Sequence, residues 1–401
     1  MSTELKVGLA GLGAASRQVA PGFFRVPGVT FTAVADVRQD EVAQWERKFG
    51  VEGFHSVEDM AQHGDVDVVY IATPNHLHAP HSLAVADQGK HVICEKPMAI
   101  TMEESHKMVE AVEKNGVRYI QGHSKICRPS VRKMGEVIAS GRLGAVHTIN
   151  TWNYNDWLRR PWPLWSLQEE HGGGVVYRQG PHQIDTVRYL AGGMVKSVRG
   201  MVGRHNAYFD IEGNYSAWLE FENGAVVTAH FNGYGYFDSS ELTWGIGEGG
   251  GVASDQKLYG PRPIQKEPVP EDEKYAMEEY SLDRLDVAGE RQPANQDFFG
   301  ITIVSCERGD IRVNPHGLYV YTDNGREEVE MSAKATYRGG AELLELQEAL
   351  EHNRPTFPGA DFGRATLEVC LGIYQSSREH REIQMKYQSP SPIQMPAAVA
   401  G

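Results

Sequence analysis

The sequence predicts an α/β protein in two parts: a doubly wound parallel sheet over 1–124, and an α/β domain with an open, mainly antiparallel sheet over 125–401. Three observations carry this. Short apolar strands alternate with helix-prone stretches up to about residue 124. The first strand ends in a Gly-x-Gly turn that opens a helix. Beyond 124 the strands lengthen, alternate in polarity and carry a hairpin signal.

The elements follow in order. "KVGLAGL" is an apolar strand, followed by glycines and a helix to about Arg25. "TFTAVADV" is a second strand, and "RQDEVAQWERKFG" a polar helix that Gly50 caps. "VDVVYIAT" is an unbroken apolar run, as a strand buried on both faces requires. The helix "HAPHSLAVADQGK", the strand "HVICEK", the helix "TMEESHKMVEAVEKNG" and the strand "VRYIQGH" complete the first part. "VRKMGEVIASGRLG" is then a helix. "AVHTINTWNY", "KSVRGMVGRHN" and "YSAWLEFENGAVVTAHFNGYG" are strands, the last broken by the turn Asn223-Gly224. Residues 245–295 are rich in Gly, Pro and charge, and are expected to form an irregular, partly mobile insertion. "RGGAELLELQEALEHN" and "GRATLEVCLGIYQSSREH" are late helices.

The net charge of −14, with no basic block, argues against nucleic acid and anionic membranes as partners. Cys94, Cys127, Cys306 and Cys370 form no CxxC pair, so they are expected to be reduced thiols in a cytoplasmic protein. The N-terminus shows no signal-peptide core, and no apolar run is long enough to span a bilayer.

In "GLAGLGAAS", Gly11, Gly13 and Ser16 stand as Gly-x-Gly-x-x-Ser. Glycines there allow a tight turn and close approach of a pyrophosphate to the helix N-terminus, and a serine is small enough for helix and strand to pack. Asp36, at the end of the second strand, is placed to accept from a ribose 2′-hydroxyl, which favours NAD. Arg38 keeps NADP as the alternative.

"ATPNHLHAPHSLAVADQGKHVICEKPMA" and "GGGVVYRQGPHQID" together resemble the two signatures of the Gfo/Idh/MocA oxidoreductases. The resemblance covers nearly the whole chain. It implies a Rossmann domain, a nicotinamide cofactor and oligomers packed through the open sheet. It places Lys96 of Glu-Lys-Pro beside nicotinamide and substrate, with a cis bond before the proline. It makes Thr73, Pro74, Asn75, His78 and Glu95 cofactor contacts. His76, His78 and His81 are then read as cofactor loop and helix surface, with no metal.

In the second signature the family usually has an aspartate four residues before the histidine. This chain has Arg178 before His182. Arginine cannot act as a general base, so proton transfer falls to Lys96 and His182. A guanidinium can instead grip a carboxylate through two bonds. Lys125 adds a second cation, Asp185 is a further substrate-side candidate, and the glycines let the segment approach the nicotinamide. In "DWLRRPWPLW", Trp157 and Arg159 are substrate-side candidates, against a reading as core aromatic and solvated arginine. "GGGVVYRQG" and "IVSCERGDIR" resemble the branch of phthalate 4,5-dihydrodiol dehydrogenase-like members. That branch implies oxidation of a ring cis-dihydrodiol carboxylate to a catechol. Sugar, glycoside or inositol oxidation is the alternative enzymatic reading. A dinucleotide-binding redox sensor or scaffold is the non-enzymatic one.

Overall fold

The computed structural model describes residues 4–122, 125–277, 281–285, 287, 294–331 and 339–393. The first sheet is parallel, with strands β1 (Leu5–Ala10), β2 (Val29–Ala35), β3 (Glu52–Phe54), β4 (Val68–Ile71), β5 (His91–Glu95) and β6 (Tyr119–Gly122) in the order β3-β2-β1-β4-β5-β6. Helices α1 (Ala14–Phe23), α2 (Gln39–Phe49), α3 (Val57–His63), α4 (His78–Asp87) and α5 (Met102–Asn115) connect them. Helices on both faces bury β1 and β4, so Val7, Leu9, Val68 and Ile71 are fully enclosed. The strand order reverses between β1 and β4. Ligands of such folds bind in the crevice at the carboxyl ends of the strands there. Gly50 closes α2, as expected. The edge strand β3 was not expected, because three residues carry no readable period.

The second sheet contains β7 (Val146–Tyr154), β8 (Val195–Gly203), β9 (Asn214–Phe221), β10 (Val226–Asn232), β11 (Ile301–Cys306), β12 (Gly309–Asn314), β13 (Gly317–Thr322), β14 (Gly325–Glu330) and β15 (Ile383–Gln384). Their order is β14-β13-β12-β11-β7-β10-β9-β8-β15. The pairings are antiparallel except β7 with β10. The expected turn joins β9 to β10, where the Asn223 side chain accepts from the Ala225 amide at 3.1 Å. Helices α6 (Pro129–Ala139), α7 (Val175–Arg178) and α8 (Gly180–Ala191) lead into and under this sheet.

The boundary expected at 124 lies outside the described residues. The described part of 245–295 is irregular, with only α9 (Asp255–Tyr259), α10 (Glu271–Ala276) and short 3-10 turns. Two more helices follow, α11 (Gly340–Glu351) and α12 (Ala360–Glu379). The latter packs along β8. Helix α11 returns to the first domain: Leu343 and Leu346 share a core with Val7, Leu9, Val19 and Phe23. Leu282 and Leu285 of the insertion join the same core. Among the described residues no helix is long and apolar enough to cross a membrane. All four cysteines are free thiols.

Candidate active site

The crevice at the switch point is a cleft with about 1180 Å³ of empty space, walled by the ends of β1, β2, β4 and β5. Gly11 leaves β1 at φ 81°, and a Cβ there would come within 2.8 Å of the Thr73 backbone. Only glycine lets the turn lie so close to the next loop. Gly13 then starts α1, whose first amides open into the cleft. Ser16 does not line the cleft: it is fully buried and donates to the Gly11 carbonyl, so it holds the turn.

Asp36 follows β2. Its carboxylate accepts from the Leu12 amide at 2.7 Å and the Arg38 amide at 2.9 Å. It also takes both Nε and Nη2 of Arg38, at 3.0 and 2.9 Å. Burial raises the Asp36 pKa, but Arg38 outweighs it and holds the carboxyl below its usual value. The acid and the arginine that argue for different cofactors are thus one pair.

Thr73, Pro74, Asn75, His78, Glu95 and Lys96 line the same cleft. The two ring nitrogens of His78 face the carbonyls of Pro97 and Thr73, at 2.6 and 2.9 Å. Burial overrides both contacts and pushes its pKa down to about 4, so the ring is neutral. The Lys96–Pro97 bond is cis. Glu95 is buried, and takes a hydrogen bond from the Tyr70 hydroxyl at 3.2 Å. His81 bonds to the Thr73 hydroxyl at 3.0 Å, and His76 stacks on His171 at 4.6 Å. Among the described residues no cluster of metal-ligating side chains forms.

The second signature closes over this cleft. Asn75 donates to the Gly172 carbonyl at 2.7 Å, and Lys96 Nζ donates to the Arg178 carbonyl at 2.9 Å. The glycines were expected to approach a nicotinamide. They approach protein instead. A Cβ on Gly172 would strike Ile100, and one on Gly173 would strike Ser166 and Gln168. Gly174, at φ 89°, lies directly over the Glu212 carboxylate. That carboxylate accepts from the Val176 amide at 2.8 Å and from the Tyr374 hydroxyl at 2.6 Å, so it caps α7 from below. Burial raises its pKa to about 7.

Arg178, at the end of α7, faces the cleft. Its guanidinium lies 4.9 Å from the ring centroids of both Trp162 and Trp165. Its Nε is buried without a hydrogen-bond partner. Burial lowers its pKa to about 10, against weaker support from Tyr275 and Glu95. It remains charged at neutral pH. Among the described residues no carboxylate pairs with it. Glu169 is taken by Arg204 and Arg378, and Asp185 accepts from Thr366.

Four residues further on, in α8, His182 lines a second, small pocket with Lys125, Arg128 and Arg312. Lys125 and His182 both lean on Phe299, at 4.5 and 5.2 Å. Lys125 is not a spare cation, because Glu248 lies 3.1 Å from its ammonium. Burial raises the Glu248 pKa, but Lys125, Arg160 and Arg128 outweigh this and hold it at about 2.

Three substrate-side expectations are corrected. Trp157 is fully buried beneath Trp162, 5.1 Å between ring centroids, and belongs to the core. Arg159 spends its donors on the carbonyls of Tyr234 and Arg262 and tethers the insertion. Asp185 is fully buried with Thr366 and Arg188, and lines neither cavity. Sequence reasoning missed Trp162, Trp165, Glu212, Glu248 and the insertion residues Lys274 and Tyr275. The tryptophan pair had a signal, the aromatic run after Arg160. The others had none, since only the fold brings them to the site.

Residues 5–123 match the oxidoreductase family with an NAD-binding Rossmann fold, and residues 131–252 match the GFO/IDH/MocA C-terminal domain. The chain belongs to the Gfo/Idh/MocA oxidoreductase family. A relative is the 1-carboxy-3-chloro-3,4-dihydroxycyclohexa-1,5-diene dehydrogenase of Comamonas testosteroni. It is 31% identical over 378 residues, which cover 93% of this chain and 95% of that one. A solved structure from Bordetella bronchiseptica RB50 is 32% identical, with a TM-score of 0.83 over 96% of this chain and all of that one. A levoglucosan dehydrogenase in complex with NADH and levoglucosan shares the fold at 20% identity. Its TM-score is 0.73, over 95% of this chain and 99% of that one. The cleft of this Gfo/Idh/MocA chain suits NAD: a turn only glycine can make, helix amides facing the opening, and an acid at the end of β2.

Proposed function

We propose that this Gfo/Idh/MocA enzyme oxidises a ring cis-dihydrodiol that bears a carboxylate, giving a catechol and NADH. The observation that carries this reading is the Arg178 guanidinium. It is clamped between two tryptophans, pairs with no carboxylate among the described residues, and its own carbonyl holds Lys96. A buried cation with only the weak support of Tyr275 and Glu95 is costly unless a ligand bonds to it. A carboxylate matches the fork of a guanidinium. The dihydrodiol carboxylate named for the Comamonas relative is a ligand of that chemistry.

NAD, when bound, accepts the hydride from the ring carbinol. Gly11, Gly13, Asp36, Arg38, Thr73, Pro74, Asn75, His78 and Glu95 would hold it. Arg178 anchors the carboxylate and so fixes which ring carbon faces the cofactor. Lys96, fixed by the Arg178 carbonyl, takes the hydroxyl proton as the carbonyl forms, and His182, in the neighbouring cavity, relays it to solvent. The resulting ketone loses a ring proton and tautomerises to the catechol. Aromatisation makes the oxidation nearly irreversible.

Two further readings belong here. The enzyme works in the cytoplasm, in keeping with its free thiols. It assembles as a homo-oligomer through the outer face of the second sheet. There Trp152 on β7, Met201 on β8 and Trp218 on β9 are 45%, 58% and 53% exposed. Large exposed apolar side chains set among the polar pairs Ser216–His230 and Thr228–Asn150 suit an interface between subunits.

The test is NADH formation with three substrate sets: cis-dihydrodiol carboxylates, the same diols without the carboxylate, and levoglucosan or myo-inositol. The carboxylated diols should be preferred at least tenfold in kcat/KM. A preference for neutral sugars would replace the dihydrodiol reading with sugar oxidation. Cofactor binding without any turnover would leave a sensor or scaffold.

A further inference from the structure

The insertion places a side chain on the glycine turn. Ahead of α10 the chain is tied to the second domain: the Trp162 amide donates to Gln265 at 3.2 Å, and the Val269 amide to the Trp162 carbonyl at 3.0 Å. Trp165 Nε1 donates to Glu271, in α10 itself, at 2.8 Å. After α10 the chain is tied to the first domain. Leu282 and Leu285 enter its core, and Lys48 pairs with Asp283 at 3.3 Å. Helix α10 therefore crosses the mouth of the cleft from one domain to the other, and lines it with Glu271, Lys274 and Tyr275.

Tyr275 reaches deepest. Its hydroxyl lies over Gly13 and faces the Ala14 amide, in the first turn of α1. A Cβ on Gly13 would stand 2.9 Å from that oxygen. The guanidinium carbons of Arg38 and Arg17 lie 4.7 and 5.1 Å from the centroid of its ring. A helix-start amide beside a glycine with no Cβ is what this turn offers to a dinucleotide phosphate. Here a phenol oxygen takes that place.

We infer that Tyr275 is a placeholder for a cofactor phosphate oxygen: its hydroxyl occupies the space over Gly13, in front of the Ala14 amide, until the dinucleotide arrives, and α10 is a strap that yields to let cofactor in and out. The exchange swaps one oxygen for another in front of the helix-start amide, so its cost is small. The arginines stacked on the ring keep the strap attached while the hydroxyl lets go. The insertion is thus part of the cofactor site.

Titration of NADH, ADP-ribose and adenosine into the full-length wild type and Tyr275→Phe tests this, with NADH association followed by energy transfer from tryptophan. The variant keeps the ring, and so the stacking on both arginines. It loses the oxygen that stands in the phosphate's place, so NADH and ADP-ribose should bind about fivefold more tightly and NADH should associate faster. Adenosine has no phosphate to take the amide, and its affinity should not change. Unchanged or weaker ADP-ribose binding would overturn the inference, making the hydroxyl a bystander or a direct cofactor ligand. An equal gain for adenosine would overturn it too, because phosphate would not be what displaces the tyrosine.

Discussion

Replacing Arg178 by Gln separates a substrate anchor from a structural charge. Two charge-assisted bonds to a carboxylate are lost, and a single amide bond remains. At about 1.5–3 kcal/mol per charged bond the net loss is about 2–3 kcal/mol, so KM should rise roughly 30- to 150-fold. Stability should behave differently. The fall of the Arg178 pKa to about 10 reports a charged form disfavoured by roughly 3 kcal/mol on burial. Its cation–π contacts with Trp162 and Trp165 offset about 2 kcal/mol of that or more. The two effects nearly cancel, so the melting temperature should move by only a degree or two in either direction. Steady-state kinetics on a carboxylated diol, alongside thermal melts, measure both quantities. A variant that melts much lower with KM unchanged would refute the reasoning, because Arg178 would then serve the fold.

Further outcomes follow from the same geometry. Lys96→Ala and His182→Ala should each reduce turnover about a hundredfold or more. Only Lys96→Ala should also weaken NADH binding, since His182 lies in the neighbouring cavity; near-normal turnover of His182→Ala would make that histidine structural. NAD should bind more tightly than NADP, and Asp36→Ala should erase the difference by freeing Arg38; equal binding in the wild type would show that Arg38 already dominates. Glu212 gives a pH signature. Its carboxyl titrates at about 7 when folded and near 4.3 when unfolded, so its contribution is complete below the lower value, declines as pH rises, and is lost above 7. Glu212→Gln should remove that decline, worth roughly 3 kcal/mol, and melt higher than the wild type at pH 8; parallel melting curves from pH 4 to 8 would rule this out.

The parallel half of the fold was legible because its strands are buried on both faces and its helices end in readable caps. The glycine turn, Asp36 and the run from Thr73 to Lys96 were legible because local sequence shapes each of them. The strands from β11 to β14 were harder to see. They are short, and β14 is almost wholly charged, as suits an exposed edge. Asp185 was misread because a spacing of three suggests a shared face with His182, whereas α8 is buried on nearly every side and its acid bonds Thr366 in the core. Trp157 and Arg159 were misread for a similar reason: their neighbours Trp162 and Trp165 face the cleft. Glu212 could not be found from sequence at all, because the partner that needs it, Gly174, stands 38 residues away on another element.

The return of α11 to the first sheet bears on how the chain can be made. A ribosome delivers β1 to β6 first, but the core they enclose also takes Leu343 and Leu346, which emerge more than two hundred residues later. Until then the apolar seat beside Val19 and Phe23 stays uncovered. The domain that begins synthesis thus cannot be completed until most of the second sheet has emerged. A truncation that ends before residue 340 would leave a sticky nascent domain for chaperones to guard.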